Sequence, residues 1–292
     1  VNGQRELYRQ SNGTLSSYAQ IGEAAPGTLG TYTSFSNITV NDGGDTAYAG
    51  SFRDPSLSIS QGAIWTDRNG VAEIIAKRDD TAPETGNARY IGLGNVSQNG
   101  DGDVAFKATL TGSSDAATAL FAEDQGGDLR LVAREGQAAV GTAGVFDNFG
   151  ALSGGAILND AGDTAFRGTL KTDAAAGIDS SNNVGIFREN GGLLELIAVK
   201  GGLAGDTGGT FADFGNPGFN AGGNLAFAAT LNQDAGAGIT ADNDTAIFTV
   251  IDGLMEVLIR EGDLLDIGGG NFRTVRTLSF FNNFAALNNA GD

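Results

Sequence analysis

One stretch of this chain is written four times over. "NDGGDTAYAGSF" from Asn41, "NGDGDVAFKATL" from Asn99, "NDAGDTAFRGTL" from Asn159 and "NAGGNLAFAATL" from Asn220 share one pattern, and "NNAGD" opens a fifth copy at Asn288. The anchors Asp45, Asp103, Asp163, Asn224 and Asp292 stand 58, 60, 61 and 68 residues apart. A repeat of this length is one supersecondary unit that cannot bury its own faces, so neighbouring units must stack.

Each unit divides into four short segments. The first carries aromatics and small residues ("TYTSFSNITVN", "FADFGNPGFN"). The second is the repeated stretch. The third holds one aromatic at a fixed place ("GAIWTDRNG", "TALFAEDQGG", "VGIFRENGG", "TAIFTVIDG"), and the fourth is aliphatic ("VAEIIAKRD", "LLELIAVKG"). Runs of β-branched and aromatic residues bounded by Gly, Asn and Asp predict strands, here named a to d, and not helices. Between c and d stand Asn12-Gly13, Asn69-Gly70, Gly126-Gly127, Gly191-Gly192 and Asp252-Gly253, pairs suited to tight hairpins. Between a and b, Asn-x-x-Gly-Asp/Asn predicts a type I turn ending on a left-handed Gly. In "TAF", Ala and Phe then face opposite sides of the sheet, the small residue allowing close approach and the ring filling the layer. The rows Tyr48, Phe106, Phe166, Phe227 in b and Tyr8, Trp65, Phe121, Phe187, Phe248 in c read as inter-sheet core. The d-to-a connection is longer, rich in Gly, Pro and Ala, and reads as a crossover without a tight turn.

Three hairpins followed by a crossover is how one propeller blade hands over to the next. The fold class expected is all-β: a single β-propeller over 1–292, of five blades with four antiparallel strands each, or alternatively an open β-repeat array. Residues 1–27 supply strands c and d of a shared blade. Blades follow at 28–83, 84–140, 141–205 and 206–266, and 267–292 gives the shared blade its first strand. The b strand of that blade is missing. Continuation past Asp292, a larger array, or a strand from another molecule would each supply it.

Composition excludes several chemistries. With 35 acidic against 17 basic residues the net charge is −18, which argues against nucleic acid and anionic membrane as partners. No Cys and no His are present, which removes disulfides, thiolate nucleophiles, His-based triads and the usual zinc ligands. No apolar run approaches the length of a membrane span.

The acidic residues mostly occupy repeated turns, whereas a catalytic pair should be peculiar to particular blades. Asp147, Glu195 and Asp213 are blade-specific, and nothing marks them as catalytic; no enzyme is expected. For calcium, "NGDGD" at Asn99 lacks the spaced acidic ligand of an EF-type loop. The b–c loops "KTDAAAGIDSSNNV" and "NQDAGAGITADNDT" are the better candidates. They bring Asp173, Asp179, Asp234, Asp242 and Asp244 to comparable places, where oxygens could wrap a calcium ion; the simpler reading is a solvated Gly/Asp-rich loop. The sequons at Asn12, Asn37, Asn95 and Asn243 read as chance in an Asn-rich repeat. Arg78, Arg134 and Arg260 read as exposed ion pairs at the outer edge.

Asn99, Gly102, Ala105 and Phe106, then Asn159, Gly162, Ala165 and Phe166, then Asn220, Gly223, Ala226 and Phe227 spell NxxGxxAF. The chain thereby resembles bacterial proteins with tandem NxxGxxAF repeats, which are secreted or surface-anchored. The first copy departs, with Tyr48 in place of Phe. The resemblance implies an extracellular or cell-surface setting and no activity. The expected role is a non-enzymatic structural or adhesive module whose partner is itself, through strand exchange, or a surface polysaccharide; the alternatives are a lectin-like propeller and a glycan-active enzyme.

Overall fold

A computed structural model describes residues 5–11, 14–68, 70–112, 117–149 and 157–279. In chain order the strands are β1 (Glu6–Ser11), β2 (Thr14–Gln20), β3 (Thr31–Val40), β4 (Thr46–Arg53), β5 (Gln61–Arg68), β6 (Val71–Lys77), β7 (Tyr90–Gln98), β8 (Val104–Leu110), β9 (Ala117–Glu123), β10 (Leu129–Arg134), β11 (Phe146–Asn148), β12 (Ile157–Leu158), β13 (Thr164–Leu170), β14 (Val184–Asn190), β15 (Leu193–Val199), β16 (Phe211–Phe214), β17 (Gly218–Phe219), β18 (Leu225–Leu231), β19 (Thr245–Ile251), β20 (Leu254–Arg260), β21 (Leu264–Asp266) and β22 (Phe272–Thr274). The protein is all-β. Among the described residues the one helical element is a 3-10 turn at Gly205–Thr207, and no helix is long and apolar enough to cross a membrane.

The chain divides into two compact units, residues 1–134 with 153–162, and residues 135–152 with 163–292. The first unit holds the hairpin β1-β2 and two four-stranded antiparallel sheets, β3-β4-β5-β6 and β7-β8-β9-β10. The second holds the paths β11-β13-β14-β15 and β16-β18-β19-β20, with β17 also on β18, and the hairpin β21-β22. Strands a to d thus recur as a meander of neighbours, four times.

The core is the aromatic row. Each b ring sits directly opposite its c ring: Tyr48 with Trp65, Phe106 with Phe121, Phe166 with Phe187, Phe227 with Phe248. The pairs stack at centroid distances of 5.5, 5.7, 5.5 and 5.6 Å, and a third ring from the a strand (Tyr32, Tyr90, Phe146, Phe211) packs edge-on at 5.0 to 5.2 Å. Such cross-strand aromatic pairs stabilise a sheet beyond the area they bury. Within the first unit, Ala47, Ala49, Ile64 and Ala76 on one sheet pack against Tyr90, Val96, Phe106 and Phe121 of the next. Ala in "TAF" is therefore the small face that lets the following sheet approach.

The turns follow their residue types. In each Asn-x-x-Gly-Asp/Asn turn the Gly N–H donates to the Asn carbonyl (3.0 to 3.3 Å) with Gly at positive φ: Gly44, Gly102, Gly162 and Gly223. Gly191-Gly192 and Asp252-Gly253 have positive φ at both positions, the geometry that matches strand twist. Asn12-Gly13, Asn69 and the copy at Asn288 lie outside the described residues.

Three expectations need correction. The d-to-a connection does contain a tight turn: Ala25, Ala139 and Ala204 each accept the N–H and hydroxyl of a Thr three residues on, and Ala82 accepts the Thr85 hydroxyl at 2.7 Å. The buried Ala pins this turn against the core, and Trp65 Nε1 donates to Pro26 O at 3.0 Å. The a segment of the fourth repeat is split between β16 and β17, with Pro217, which has no N–H to donate to a ladder, lying between them. The outer-edge arginines need only a partial correction: Arg78 does lie 4.0 Å from the exposed Asp79 carboxylate, but it also donates to the carbonyl of Ile91 (2.6 Å), and Arg260 donates to that of Asn243 (2.5 Å).

Candidate functional site

The most repeated polar residue, the turn Asn, works inward. Its Oδ1 accepts the N–H four residues on, at 2.8 Å in Asn41, Asn99 and Asn220. Its amide reaches the next repeat: Asn41 Nδ2 donates to the carbonyls of Asn99 (3.2 Å) and Gly100 (2.9 Å), and Asn99 Nδ2 to that of Asn159 (2.9 Å). The turns of the first unit are therefore rungs of one ladder. Gly100 has no side chain, so Asp160 Oδ1 reaches its N–H at 2.8 Å; a Cβ there would lie 2.9 Å from that oxygen.

Charge follows the same logic. Arg68 at the end of β5 reaches into the next sheet, where it donates to Gly102 O (3.1 Å), pairs with Glu123 and lies 3.6 Å from Asp103. Glu123 also accepts the Val104 N–H at 2.9 Å, and Glu189 holds the Thr164 N–H at 3.0 Å in the same way. Burial pushes the Glu123 and Asp103 carboxyls above their usual range, with Arg68 pulling the other way. Asp163 accepts the N–H groups of Gly191 and Gly192 at 2.9 and 2.7 Å. These carboxylates hold turns and sheet ends. Among the blade-specific acids, Asp213 pairs with Arg167 at 2.9 Å and Glu195 with Arg188, while Asp147 is exposed.

The calcium candidates do not converge. Asp173 Oδ1 accepts the Ala175 N–H (2.9 Å) and Asp234 Oδ1 the Gly236 N–H (2.8 Å). Asp179 Oδ1 accepts from the Ser181 hydroxyl and N–H, which holds its carboxyl below the usual range. Asp244 accepts from Gln233 at 2.9 Å, and Asp242 is exposed. Ile178 and Ile239 bury these loops' tips against the core. Among the described residues no three acidic side chains come together as a metal-holding group.

The first repeat breaks the pattern. Tyr8, expected in the core row, is 60% exposed, whereas Trp65, Phe121, Phe187 and Phe248 are fully buried. Among the described residues β1 pairs only with β2, and none of them stacks a ring on Tyr8. Ile38, three residues before the turn Asn, is 48% exposed; Val96, at the same place in the next repeat, is fully buried. Between these groups lies a cavity of about 360 Å³, lined by Tyr8, Arg9, Tyr18, Ile38, Val40 and Thr46 among others. Arg9 is anchored behind it on buried Asp67 at 3.1 Å. Tyr32 and Tyr48 share a hydroxyl hydrogen bond of 2.6 Å, and the buried Tyr18 hydroxyl lies beside Tyr48 and Asp67 without hydrogen-bond geometry to either. Burial raises the Tyr18 and Tyr48 hydroxyls well above the ordinary range, so they stay protonated donors. Sequence reasoning missed this region. Its signal was Tyr48 in place of Phe.

No curated protein matches the chain. Among solved structures it is similar to an alpha-L-arabinanase of Penicillium chrysogenum complexed with arabinobiose, at 13% identity and a TM-score of 0.34, covering 80% of this chain and 72% of that one. It is similar also to an oligogalacturonate lyase in complex with manganese, at 10% identity and a TM-score of 0.35, covering 89% and 74%. Likenesses this faint lend the chain no activity. One family model matches residues 2–177 and again 154–292, and the chain belongs to that family, described as a family of unknown function (DUF7453).

Proposed function

We propose that the protein is a non-enzymatic structural and adhesive module of the extracellular space or cell surface, built as a five-bladed propeller whose last blade combines residues 1–27 with 267–292. The observation that carries this reading is the commitment of the repeated polar groups. Asn41, Asn99, Asp163, Glu123 and Glu189 each hold a turn or a sheet end, which gives the most repeated polar groups a structural task. The NxxGxxAF resemblance supports the location. Its partner is a second copy of itself, or a surface polysaccharide. The polysaccharide reading is favoured by the cavity beside Tyr8 and Arg9, where an aromatic wall meets polar donors.

Assays of purified protein against a polysaccharide panel are expected to show no turnover, and light scattering is expected to show association that grows with concentration. Steady release of sugar products would sink the reading. A glycan array separates the two partners: binding that disappears in Arg9→Ala favours the polysaccharide.

A further inference from the structure

In each of the four larger sheets the d strand (β6, β10, β15 or β20) ends the ladder, and among the described residues no strand pairs with its outer edge. An unpaired edge offers its N–H and C=O groups to any strand of another chain. The crossover that precedes each sheet comes back over that edge strand. Gly27 lies on Ile74 of β6 and Gly141 on Leu196 of β15, so closely that a Cβ would stand 2.4 Å from Ile74 Cγ2 and 2.7 Å from Leu196 Cβ. Both contacts fall on the residue opposite the c-strand ring, Trp65 or Phe187, just before the one-residue bulge at Ile75 or Ile197. In the fourth repeat the 3-10 turn Gly205–Thr207 packs along β20. The second repeat differs. Counted from the pairs Ala25–Thr28, Ala82–Thr85 and Ala139–Thr142, Glu84 stands where Gly27 and Gly141 stand. It holds φ at +58°, beside their +73° and +75°, a conformation that strains a residue with a Cβ and does not strain Gly. Its exposed side chain reaches the equivalent place on β10, where Oε1 accepts the Leu131 N–H at 3.3 Å. Leu131 is opposite Phe121 and just before the bulge at Val132.

We infer that the crossover turn guards the outer edge of each sheet, and that Glu84 guards β10 by a hydrogen bond where Gly27 and Gly141 guard their strands by contact. A bonded Leu131 N–H is not available to an incoming strand, and the bulge beside it bends the edge away from flat pairing. The strand kept out is the outer edge of β10 in a second copy, which would otherwise meet its twin antiparallel about a twofold axis. The inference goes beyond the structural and adhesive reading and holds whichever partner that reading has: it names an edge of the protein that stays out of any assembly.

The test compares Glu84→Gly, Glu84→Asn and Glu84→Gln in the full chain. Gly and Asn take up positive φ readily, so the first two variants fold, but neither has a side chain long enough to reach Leu131. Amide hydrogen exchange at Leu131 should quicken about twofold to tenfold in both, the range that one net hydrogen bond spans. Both should also form intermolecular β-sheet, read by infrared spectroscopy and light scattering, at concentrations where the original chain does not. Glu84→Gln keeps the acceptor and should match the original chain in both readouts. Unchanged Leu131 exchange in Glu84→Gly overturns the inference. So does faster exchange without added β-sheet association, which would leave Glu84 a local contact only. So does a Glu84→Gln chain that associates as readily as Glu84→Gly, which would make the charge and not the bond the guard. Each outcome is a difference between variants, so an original chain that stays monomeric counts against self-association as the function and not against the guard.

Discussion

Tyr8 and Phe187 occupy the same place in the c strand of their repeats, and one is mostly exposed while the other is sealed. The two neighbourhoods differ in what stands opposite. Phe187 faces Phe166 across the β13–β14 ladder, with Phe146 edge-on at 5.0 Å. Tyr8 lies on β1, whose described partner is β2 alone. An aromatic in a repeat of this kind is core only if its sheet is complete. Identical periodicity therefore produces a buried packing ring in one place and an exposed ring in another.

The largest expected effect separates these two directly. Phe187→Ala should cost about 3–5 kcal/mol in denaturant unfolding, because it empties a fully buried ring site. Tyr8→Ala should cost less than about 0.5 kcal/mol, as exposed substitutions do. Equal losses would mean that Tyr8 is packed after all, and the comparison would collapse.

The hydroxyls sharpen it next. Tyr32–Tyr48 and Tyr90–Phe106 have nearly the same ring geometry, at 6.3 Å and 54° against 6.1 Å and 58°. In the first pair the hydroxyls bond to each other; in the second the buried Tyr90 hydroxyl has no protein partner. Tyr48→Phe should therefore destabilise by about 1–3 kcal/mol, leaving Tyr32 unpaired, while Phe106→Tyr should stabilise by about 1 kcal/mol by giving Tyr90 its missing bond. Thermal melts of both variants check the signs, and a destabilised Phe106→Tyr would show that the two layers are not equivalent.

The smallest effect is in pH. Burial raises the Glu123 carboxyl, opposed by Arg68, so the folded chain holds that proton more tightly than the unfolded one. Its contribution to stability is full below the ordinary carboxylate range and is lost as pH rises through the raised value. Asp213 behaves oppositely: burial raises it, but Arg167 and the Phe214 N–H outweigh burial and hold it low, so its contribution is lost as pH falls. Glu123→Gln should accordingly flatten the decline in Tm as pH rises above the ordinary carboxylate range, and Asp213→Asn should flatten the decline as pH falls below it. Unchanged profiles in both would mean that neither carboxyl is coupled to folding.

The four strands, their order and the hairpin turns were legible in the residues. Asn-x-x-Gly-Asp dictates a turn with a left-handed Gly, and "TAF" dictates a small face and a ring face, because turn chemistry and the two-residue strand period are local. The crossover turn at Ala25 was legible only in part. Its Ala and Thr recur, but a hydroxyl closing onto a carbonyl three residues back has no strong sequence mark.

The sequence by itself determined a repeated antiparallel sheet with a ring pair at its centre, since side-chain size and backbone preference act over a few residues. Only the tertiary structure decided which copies of each residue are used up. Asn41 and Asn99 open the same Asn-x-x-Gly-Asp turn, yet among the described residues one carbonyl is doubly bonded and the other is not, because what reaches it comes from a repeat nearly 60 residues away. Burial and pairing depend on which sheet lies next door, and that is a property of the assembled fold.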